Sequence, residues 1–146
     1  MKTRNQVKLE FPSIPENIAL ARVIVATMLA GMDFTLTDLD DAKVAVSEAV
    51  SNAILHGYQN RPNGLVYLTI TAEPEGLEVI VEDYGRGIVD VTKAMEPAFS
   101  TLGDRLGMGF VFMQSFMDKV DVDSQVGRGT RVRMYKACRQ AMQAVQ

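Results

Sequence analysis

Three polar side chains recur at four-residue intervals in the segment SEAVSNAILHG, which covers residues 47–57. They are Glu48, Asn52 and His56, and the residues between them are mostly apolar. Because four residues advance an α-helix by about 400°, the three groups lie along one slowly turning stripe. A carboxylate can accept a proton from a hydroxyl group, and an amide oxygen is a hard ligand that suits Mg²⁺. The stripe therefore has a composition that core packing alone does not explain.

The composition describes an ordinary globular domain. The chain has 146 residues, of which 47% are hydrophobic and 23% are charged, and this length suits one domain. A net charge of −3 does not favour general nucleic-acid binding. Cys138 is the one cysteine in the sequence, which excludes an internal disulfide and, with one histidine, a zinc site of the usual soft ligands.

No apolar run is long enough to span a bilayer, and the first residues lack the apolar core of a signal peptide. We therefore expect a cytoplasmic protein with no membrane partner.

Hydrophobic periodicity predicts an α+β fold. Alternation predicts strands and longer periodic stretches predict helices. The strands are expected at 6–11, near 66–70 and 79–81, and at 119–124 and 129–135, and the helices at about 15–32, at 38–56 and from Phe110. This order predicts a two-layer α/β sandwich with a mixed, mainly antiparallel sheet covered by helices on one face. One domain is expected over 1–146, with a flexible tail over 137–146.

The helix boundaries are predicted from capping patterns. Ser13 and Glu16 have capping-box spacing before the first helix. Thr37 and Asp40 resemble the start of the second helix, and Gly57 resembles its end.

The first helix is apolar around nearly its whole circumference. Between residues 17 and 32 its one charged side chain is Arg22. One face carries Ala21, Val25 and Leu29, and another carries Leu20 and Val23. A helix of this kind is buried on more than one side, so we expect a partner or dimer surface here, although small side chains also tolerate exposure.

Glycine-rich motifs follow the strands. In EDYGRGI, residues 82–88, Asp83 ends a strand, and Gly85 and Gly87 allow close backbone approach. Asp83 can accept from an exocyclic amine such as adenine N6, or it can be a solvated residue of a plain turn. In LGMGF, residues 106–110, Gly107 and Gly109 open a helix whose free amides suit phosphate, or they form a simple turn around Met108.

The segment GRGT, residues 127–130, is typical of a glycine hairpin, and Thr130 could add a hydroxyl group near a base. Each motif is weak alone, but E-x-x-x-N, D-x-G-x-G, G-x-G and G-T in this order resemble the GHKL ATPases of the Bergerat fold. The resemblance implies ATP or ADP with Mg²⁺ held by Asn52, adenine bound by Asp83, and Thr130 near the base. The pocket and its lid then include Gly85, Gly87, Gly107, Met108 and Gly109.

The segments VSEAVSNAILHGY, PNG, GMGF and FMDKV extend the likeness from about Leu9 to Tyr135. They resemble the small anti-sigma factor serine kinases of sporulating bacteria. This resemblance implies a homodimer that inhibits a sigma factor and phosphorylates a serine of an anti-anti-sigma protein. Glu48 is then the general base and Arg22 a partner contact, while His56 can touch phosphate or make a structural contact.

The lid segment EPAFSTLGDRLGMG, residues 96–109, is about two residues shorter than this family implies. Ser100, Thr101 and Arg105 are still expected to reach the phosphates. A nucleotide-gated binding module without turnover and a related stress-response kinase remain alternatives. A histidine kinase is disfavoured, because the one histidine lies inside the nucleotide motif and no segment precedes the domain.

Overall fold

Five β-strands form one sheet in the computed structural model, which describes residues 4–96 and 106–139. The strands are β1 (Asn5–Pro12), β2 (Leu65–Glu73), β3 (Gly76–Asp83), β4 (Lys119–Gln125) and β5 (Gly129–Ala137). Their order across the sheet is β1-β2-β3-β5-β4, and each of the four described pairings is antiparallel. The antiparallel part of the prediction is confirmed, and no parallel pair occurs among the described strands.

Helices cover one face of this sheet. They are α1 (Glu16–Ala30), α2 (Leu36–Asn52), the short α3 (Val91–Ala94) and α4 (Leu106–Phe116), and a π-helical turn over Ala53–Gly57 continues α2. Alternate strand residues are fully buried beneath the helices, namely Val66, Leu68, Ile70, Leu77, Val79 and Met134. The predicted two-layer α+β sandwich is therefore confirmed. None of the helices in the described ranges is long and apolar enough to cross a membrane.

The second helix begins two residues earlier than the capping pattern predicted. The Thr35 hydroxyl accepts from the Asp38 amide at 3.1 Å, and the Thr35 amide donates to the Asp38 carboxylate at 2.9 Å. The prediction that Thr37 and Asp40 start the helix is therefore wrong, although the pattern was of the right kind. The sequence holds the same spacing twice, and packing of the preceding Phe34 against the core favours the earlier pair.

The predicted capping box at the first helix is also wrong. Pro15 occupies the N-cap position of α1, and no side chain caps that helix end. The Ser13 hydroxyl donates instead to the Arg61 carbonyl at 2.5 Å and accepts from the Gly64 amide at 3.0 Å. Ser13 thus fastens the end of β1 to the turn before β2, because a tertiary contact offers it two partners at once.

The first helix has one buried and one exposed apolar face. The predicted core face is confirmed, since Ala21, Val25 and Leu29 are fully buried. On the other side Leu20 is 43% exposed and Val23 is 62% exposed. Arg22 is exposed beside them. An apolar surface therefore exists where a partner contact was expected, and the contact itself stays a prediction.

The first three residues of the expected tail belong to the fold. β5 continues to Ala137, and buried Cys138 donates its amide to the Glu75 carbonyl at 2.9 Å. The Arg139 Nε atom lies 3.4 Å from the Asp38 Oδ2 atom. The remainder of that tail, 140–146, lies outside the described residues.

Candidate functional site

Two side chains of the polar stripe, Glu48 and Asn52 on α2, face the N-terminal turn of α4. A Cβ atom built on the buried Gly109 would lie 3.1 Å from the Glu48 Oε2 atom and 3.2 Å from the Asn52 Nδ2 atom. A side chain at this position would crowd both groups, so glycine allows the close approach of the two helices. The E-x-x-x-N motif and the G-x-G motif are therefore parts of one site.

The Asn52 amide is incompletely satisfied within this site. Its Nδ2 atom is buried and has no hydrogen-bond partner among the described residues. A buried donor without a partner costs about 1–3 kcal/mol, and native proteins keep such groups rarely. This amide is therefore the clearest sign that α2 meets a bound ligand rather than a dry core.

A π-helical turn ends α2, where the sequence predicted regular α-helix as far as residue 56. The Tyr58 amide donates to the Ala53 carbonyl at 2.9 Å across this turn. The carbonyl groups of His56 and Gly57 accept from the Nε atom and the backbone amide of Arg86, at 2.8 and 2.9 Å. The turn therefore connects the stripe to the D-x-G-x-G loop, and π-turns of this kind are frequent at functional sites.

Where the π-helical turn meets the D-x-G-x-G loop, there is no room for side chains at Gly57 and Gly85. A Cβ atom on Gly85 would lie 2.0 Å from the Gly57 carbonyl oxygen, and one on Gly57 would lie 2.7 Å from the Asp83 Oδ1 atom. Gly57 does end the helical segment, as predicted, but the left-handed residues that reverse the chain are Gln59 and Asn60, with φ of 56° and 60°. Gly57 is thus needed for contact with Asp83 rather than for a helix cap.

Asp83 lies at the end of β3 and is 6% exposed. Its Oδ1 atom accepts from the Gly85 amide at 2.9 Å. Burial raises the pKa of the Asp83 carboxyl to about 6, and hydrogen bonds from the Gly85 and Thr130 backbones oppose that rise. At neutral pH the group is mainly ionised, so it presents a buried, oriented hydrogen-bond acceptor.

A cavity of about 610 Å³ contains both groups, and Asn52, Asp83, Gly87 and Thr130 are among its lining residues. This volume is typical of small-molecule and cofactor sites. Gly57 lies against Asp83, and Asn52 is about 7 Å from Gly57 along the helix. The cavity therefore has an Asn52 end and an Asp83 end. Apolar walls join the two ends, and they include Ala49, Ala53, Val81, Ile88, Ala94, Phe110, Val126 and Val132.

Residues 11–136 match the family model of the histidine kinase-like ATPase domain. The chain belongs to this family. An ATPase domain implies a nucleotide-binding site, and the cavity has the position, volume and polar groups to be that site.

Curated relatives of this ATPase domain include anti-sigma F factors. The chain is 43% identical over 135 residues to that of Anoxybacillus flavithermus, which covers 91% of this chain and 92% of the relative. It is 45% identical over 136 residues to that of Geobacillus stearothermophilus, covering 92% and 93%. It is 44% identical over 134 residues to that of Clostridium beijerinckii, covering 90% and 94%.

A crystal structure of the RsbU and RsbW domains of a Mycobacterium tuberculosis protein has the same fold, with a TM-score of 0.60 and 18% identity. The match covers 92% of this ATPase domain and 33% of that longer chain. At this identity the likeness concerns the fold alone.

Not all of the predicted site residues of the ATPase domain line the cavity. Gly87 has a φ of 77°, and a Cβ atom there would lie 2.2 Å from the Gln125 carbonyl oxygen. Gly107 lies in the first turn of α4. Met108 is 42% exposed and Arg22 lies on α1, and neither lines the cavity. The predicted phosphate contacts Ser100, Thr101 and Arg105 lie outside the described residues.

The sequence interpretation missed two cations that line the cavity, Arg86 and Lys93. Lys93 belongs to α3, whose N-cap Asp90 accepts from the Lys93 amide at 3.1 Å. The D-x-x-K spacing at residues 90–93 was the available signal for this short helix. Arg86 could have been noticed from its place between the two glycines of the D-x-G-x-G motif.

Proposed function

We propose that this chain is an anti-sigma factor with serine kinase activity. It binds MgATP in the cavity, inhibits a sporulation-type sigma factor as a homodimer, and phosphorylates a serine of an anti-anti-sigma protein. The observation that carries the proposal is the meeting of Glu48 and Asn52 with Gly109 beside a nucleotide-sized cavity. Identities of 43–45% to anti-sigma F factors over nine tenths of the chain support the same conclusion.

The Asp83 end suits adenine. The ionised Asp83 carboxylate accepts from the N6 amino group, whereas guanine would set its carbonyl oxygen against this acceptor. Thr130 lies beside Asp83 in the register of β3 and β5, so its hydroxyl is close to the same base. Gly85 and Gly87 let the loop backbone pack closely around this end.

The Asn52 end suits the phosphates with Mg²⁺. The described residues contain no cluster of three or more His, Cys, Asp or Glu side chains that could hold a metal ion. Mg²⁺ commonly takes one or two protein oxygens and completes its octahedron with phosphate oxygens and water. The Asn52 amide can turn to offer its oxygen, and Mg²⁺ bound there would neutralise charge on the phosphates.

Glu48 is the proposed general base. Its carboxylate lies one helical turn from Asn52 and removes the proton from the hydroxyl group of the partner serine. That serine oxygen forms a bond to the γ-phosphorus atom as the bond to the ADP oxygen breaks. In this proposal, backbone amides at the α4 N-terminus, from Gly107 to Gly109, stabilise the phosphate charge. Ser100, Thr101 and Arg105 belong to the proposal through the resemblance alone.

The exposed face of α1 is the proposed partner surface. Leu20 and Val23 provide apolar area and Arg22 provides a charge beside it. Apolar area with an adjacent arginine is typical of the centre of protein interfaces. The sigma factor and the anti-anti-sigma protein are the proposed occupants.

The decisive experiment measures phosphate transfer from γ-labelled ATP, with Mg²⁺, to a candidate anti-anti-sigma protein. Glu48→Gln is expected to bind ATP normally and to transfer phosphate about 10²–10⁴-fold more slowly, because it cannot accept the proton. Glu10→Gln, an exposed change on β1, is the matched control.

Transfer by Glu48→Gln at the wild-type rate would remove Glu48 as the base. ATP binding without label on any candidate protein would leave a nucleotide-gated sequestering module.

A further inference from the structure

The hydroxyl group of Ser124 joins three segments behind the Asp83 end. Ser124 on β4 pairs with Thr130 on β5, and their oxygen atoms are 2.8 Å apart. The Ser124 Oγ atom accepts from the Ile88 amide at 2.8 Å and lies 3.0 Å from the Gly129 carbonyl oxygen, to which it donates. Ile88 and Thr130 line the cavity, whereas Ser124 does not.

A proton count decides the direction of these bonds. A serine hydroxyl has one proton and two acceptor positions, and the Ile88 amide occupies one of the latter. The Gly129 carbonyl can only accept, so the serine proton is directed to it. The remaining acceptor position of Ser124 is then filled by the proton of the Thr130 hydroxyl. This is the one arrangement in which all three contacts are hydrogen bonds.

The consequence appears at the cavity surface. With its proton directed towards Ser124, the Thr130 oxygen presents lone pairs, and the ionised Asp83 carboxylate is also an acceptor. Both groups at this end are therefore acceptors. A base with an amino group finds partners, whereas a base with a carbonyl oxygen meets lone pairs from both sides.

We infer that Ser124 is a positioning residue that holds the Thr130 hydroxyl as an acceptor and so strengthens selection of an amino-bearing base over a carbonyl-bearing one. This role rests on the proposed function, since it needs the nucleotide base at the Asp83 end. Ser124 acts through Thr130 and does not touch the base.

The experiment compares ATP and GTP affinities by calorimetry for the wild-type chain and for Ser124→Ala. Removing the serine frees the Thr130 hydroxyl to turn and donate to guanine O6. We expect the ATP-to-GTP affinity ratio to fall about tenfold, as for the loss of one oriented hydrogen bond. General loosening would lower both affinities together, because the two nucleotides share ribose and phosphates.

Three further variants make the result specific. Ser124→Thr keeps the hydroxyl and should restore the ratio, and Ser124→Cys keeps the volume with a poor hydrogen-bonding group, in case the alanine variant folds badly. Ser47→Ala is the control, because the Ser47 hydroxyl donates to the Lys43 carbonyl within α2, at 2.7 Å.

A double-mutant cycle tests the route of action. Thr130→Val alone should lower the ratio about tenfold, and adding Ser124→Ala should change it no further. A ratio unchanged in Ser124→Ala and Ser124→Cys, or an equal extra loss in the Thr130→Val background, would overturn the role of Ser124. Failure of the wild-type chain to bind ATP would instead overturn the proposed function beneath it.

Discussion

The two ends of the cavity differ in how far the protein satisfies its own polar groups. At the Asp83 end the carboxylate is held by the backbones of Gly85 and Thr130, and the Ser124 hydroxyl has three partners. At the Asn52 end a buried amide nitrogen has no partner among the described residues. The polar groups named at the Asp83 end are therefore hydrogen-bonded without a ligand, whereas the Asn52 amide nitrogen is not.

This difference separates two tasks of a nucleotide site. Selecting a base needs donors and acceptors that are already oriented, because rigid groups lose little entropy on binding. Holding phosphates with a metal ion needs groups that remain open to the ligand. The Asn52 amide nitrogen, which has no partner among the described residues, reduces the stability of the free protein, and the bound ligand compensates for that loss.

Asn52→Ala is expected to have the largest effect, and it should change ligand binding much more than the stability of the free protein. MgATP affinity should fall about a hundredfold, because a metal ligand is lost. The free energy of unfolding of the free protein should change by less than about 1 kcal/mol, since the amide nitrogen that is removed has no partner among the described residues. Calorimetry with and without Mg²⁺, together with urea unfolding, measures both quantities.

Asn63→Ala in an exposed turn is the control for Asn52→Ala. Breaking a buried hydrogen bond usually costs about 1–3 kcal/mol. If Asn52→Ala lowers the unfolding free energy of the free protein by more than about 2 kcal/mol, the Asn52 end is already hydrogen-bonded without a ligand, and the comparison is contradicted.

Gly85→Ala tests the Asp83 end, where stability and binding should fall together. The added Cβ atom would meet the Gly57 carbonyl, so the loop must move, at a cost of about 1–3 kcal/mol of unfolding free energy. ATP affinity should fall as well, because Asp83 moves with the loop. Unfolding and binding curves of the same samples measure both effects.

The matched variant for Gly85→Ala is Gly127→Ala. Gly127 has a φ of 82° but nothing within 4 Å of an added Cβ atom. It should lose about 1 kcal/mol from backbone strain and keep its ATP affinity. Equal losses of affinity in both variants would show that the close contact between Gly85 and Gly57 does not shape the site.

The smallest expected effect is a pair of opposite pH dependences at Asp83. Its pKa of about 6 in the folded protein exceeds the ordinary value of 3.8, so the folded state binds the proton more tightly. The contribution of Asp83 to stability is therefore fully present below pH 3.8 and is lost as the pH rises through 6. Adenine needs the ionised carboxylate, so ATP affinity should fall up to about tenfold per pH unit below that pKa.

Asp83→Asn should abolish the pH dependence of both stability and ATP affinity that arises from Asp83. ATP itself also titrates in this range, and subtracting the values of the variant from those of the wild type cancels that contribution. Urea unfolding measures the stability and ATP titration measures the affinity, both between about pH 5 and 8. This range covers the pKa values to which burial commonly raises carboxyl groups. Slopes of the same sign would mean that the buried carboxylate is not the group that binds the base.

Local patterns in the sequence were sufficient for most of the fold. Alternation at Leu68, Ile70, Val79 and Val81 predicted strands that are now buried on one face. Four-residue spacing predicted that Glu48 and Asn52 share a helix face, and a Cβ atom added to Gly109 of α4 would meet both side chains. These predictions succeed because periodicities of 2.0 and about 3.6 residues belong to the backbone itself.

Choices between equal local patterns were not predictable. The capping spacing occurs at both Thr35 and Thr37, and the structure uses Thr35, next to Phe34, which packs against the core. Ser13 has the chemistry of a helix cap, yet it bonds to the turn before β2. Hydrogen bonds to distant backbone groups carry no signal in the local sequence.

The sequence by itself determined the five strands, the three longer helices and the order of the nucleotide motifs, because these depend on side-chain periodicity and on which positions tolerate glycine. The tertiary structure decided how the motifs meet. It formed the π-turn that attaches His56 to Arg86, brought Gly57 against Asp83, and set Ser124 behind Thr130. The contacts of His56 with Arg86 and of Gly57 with Asp83 join residues far apart in the chain. Ser124 and Thr130 are six residues apart and meet through the antiparallel pairing of β4 and β5.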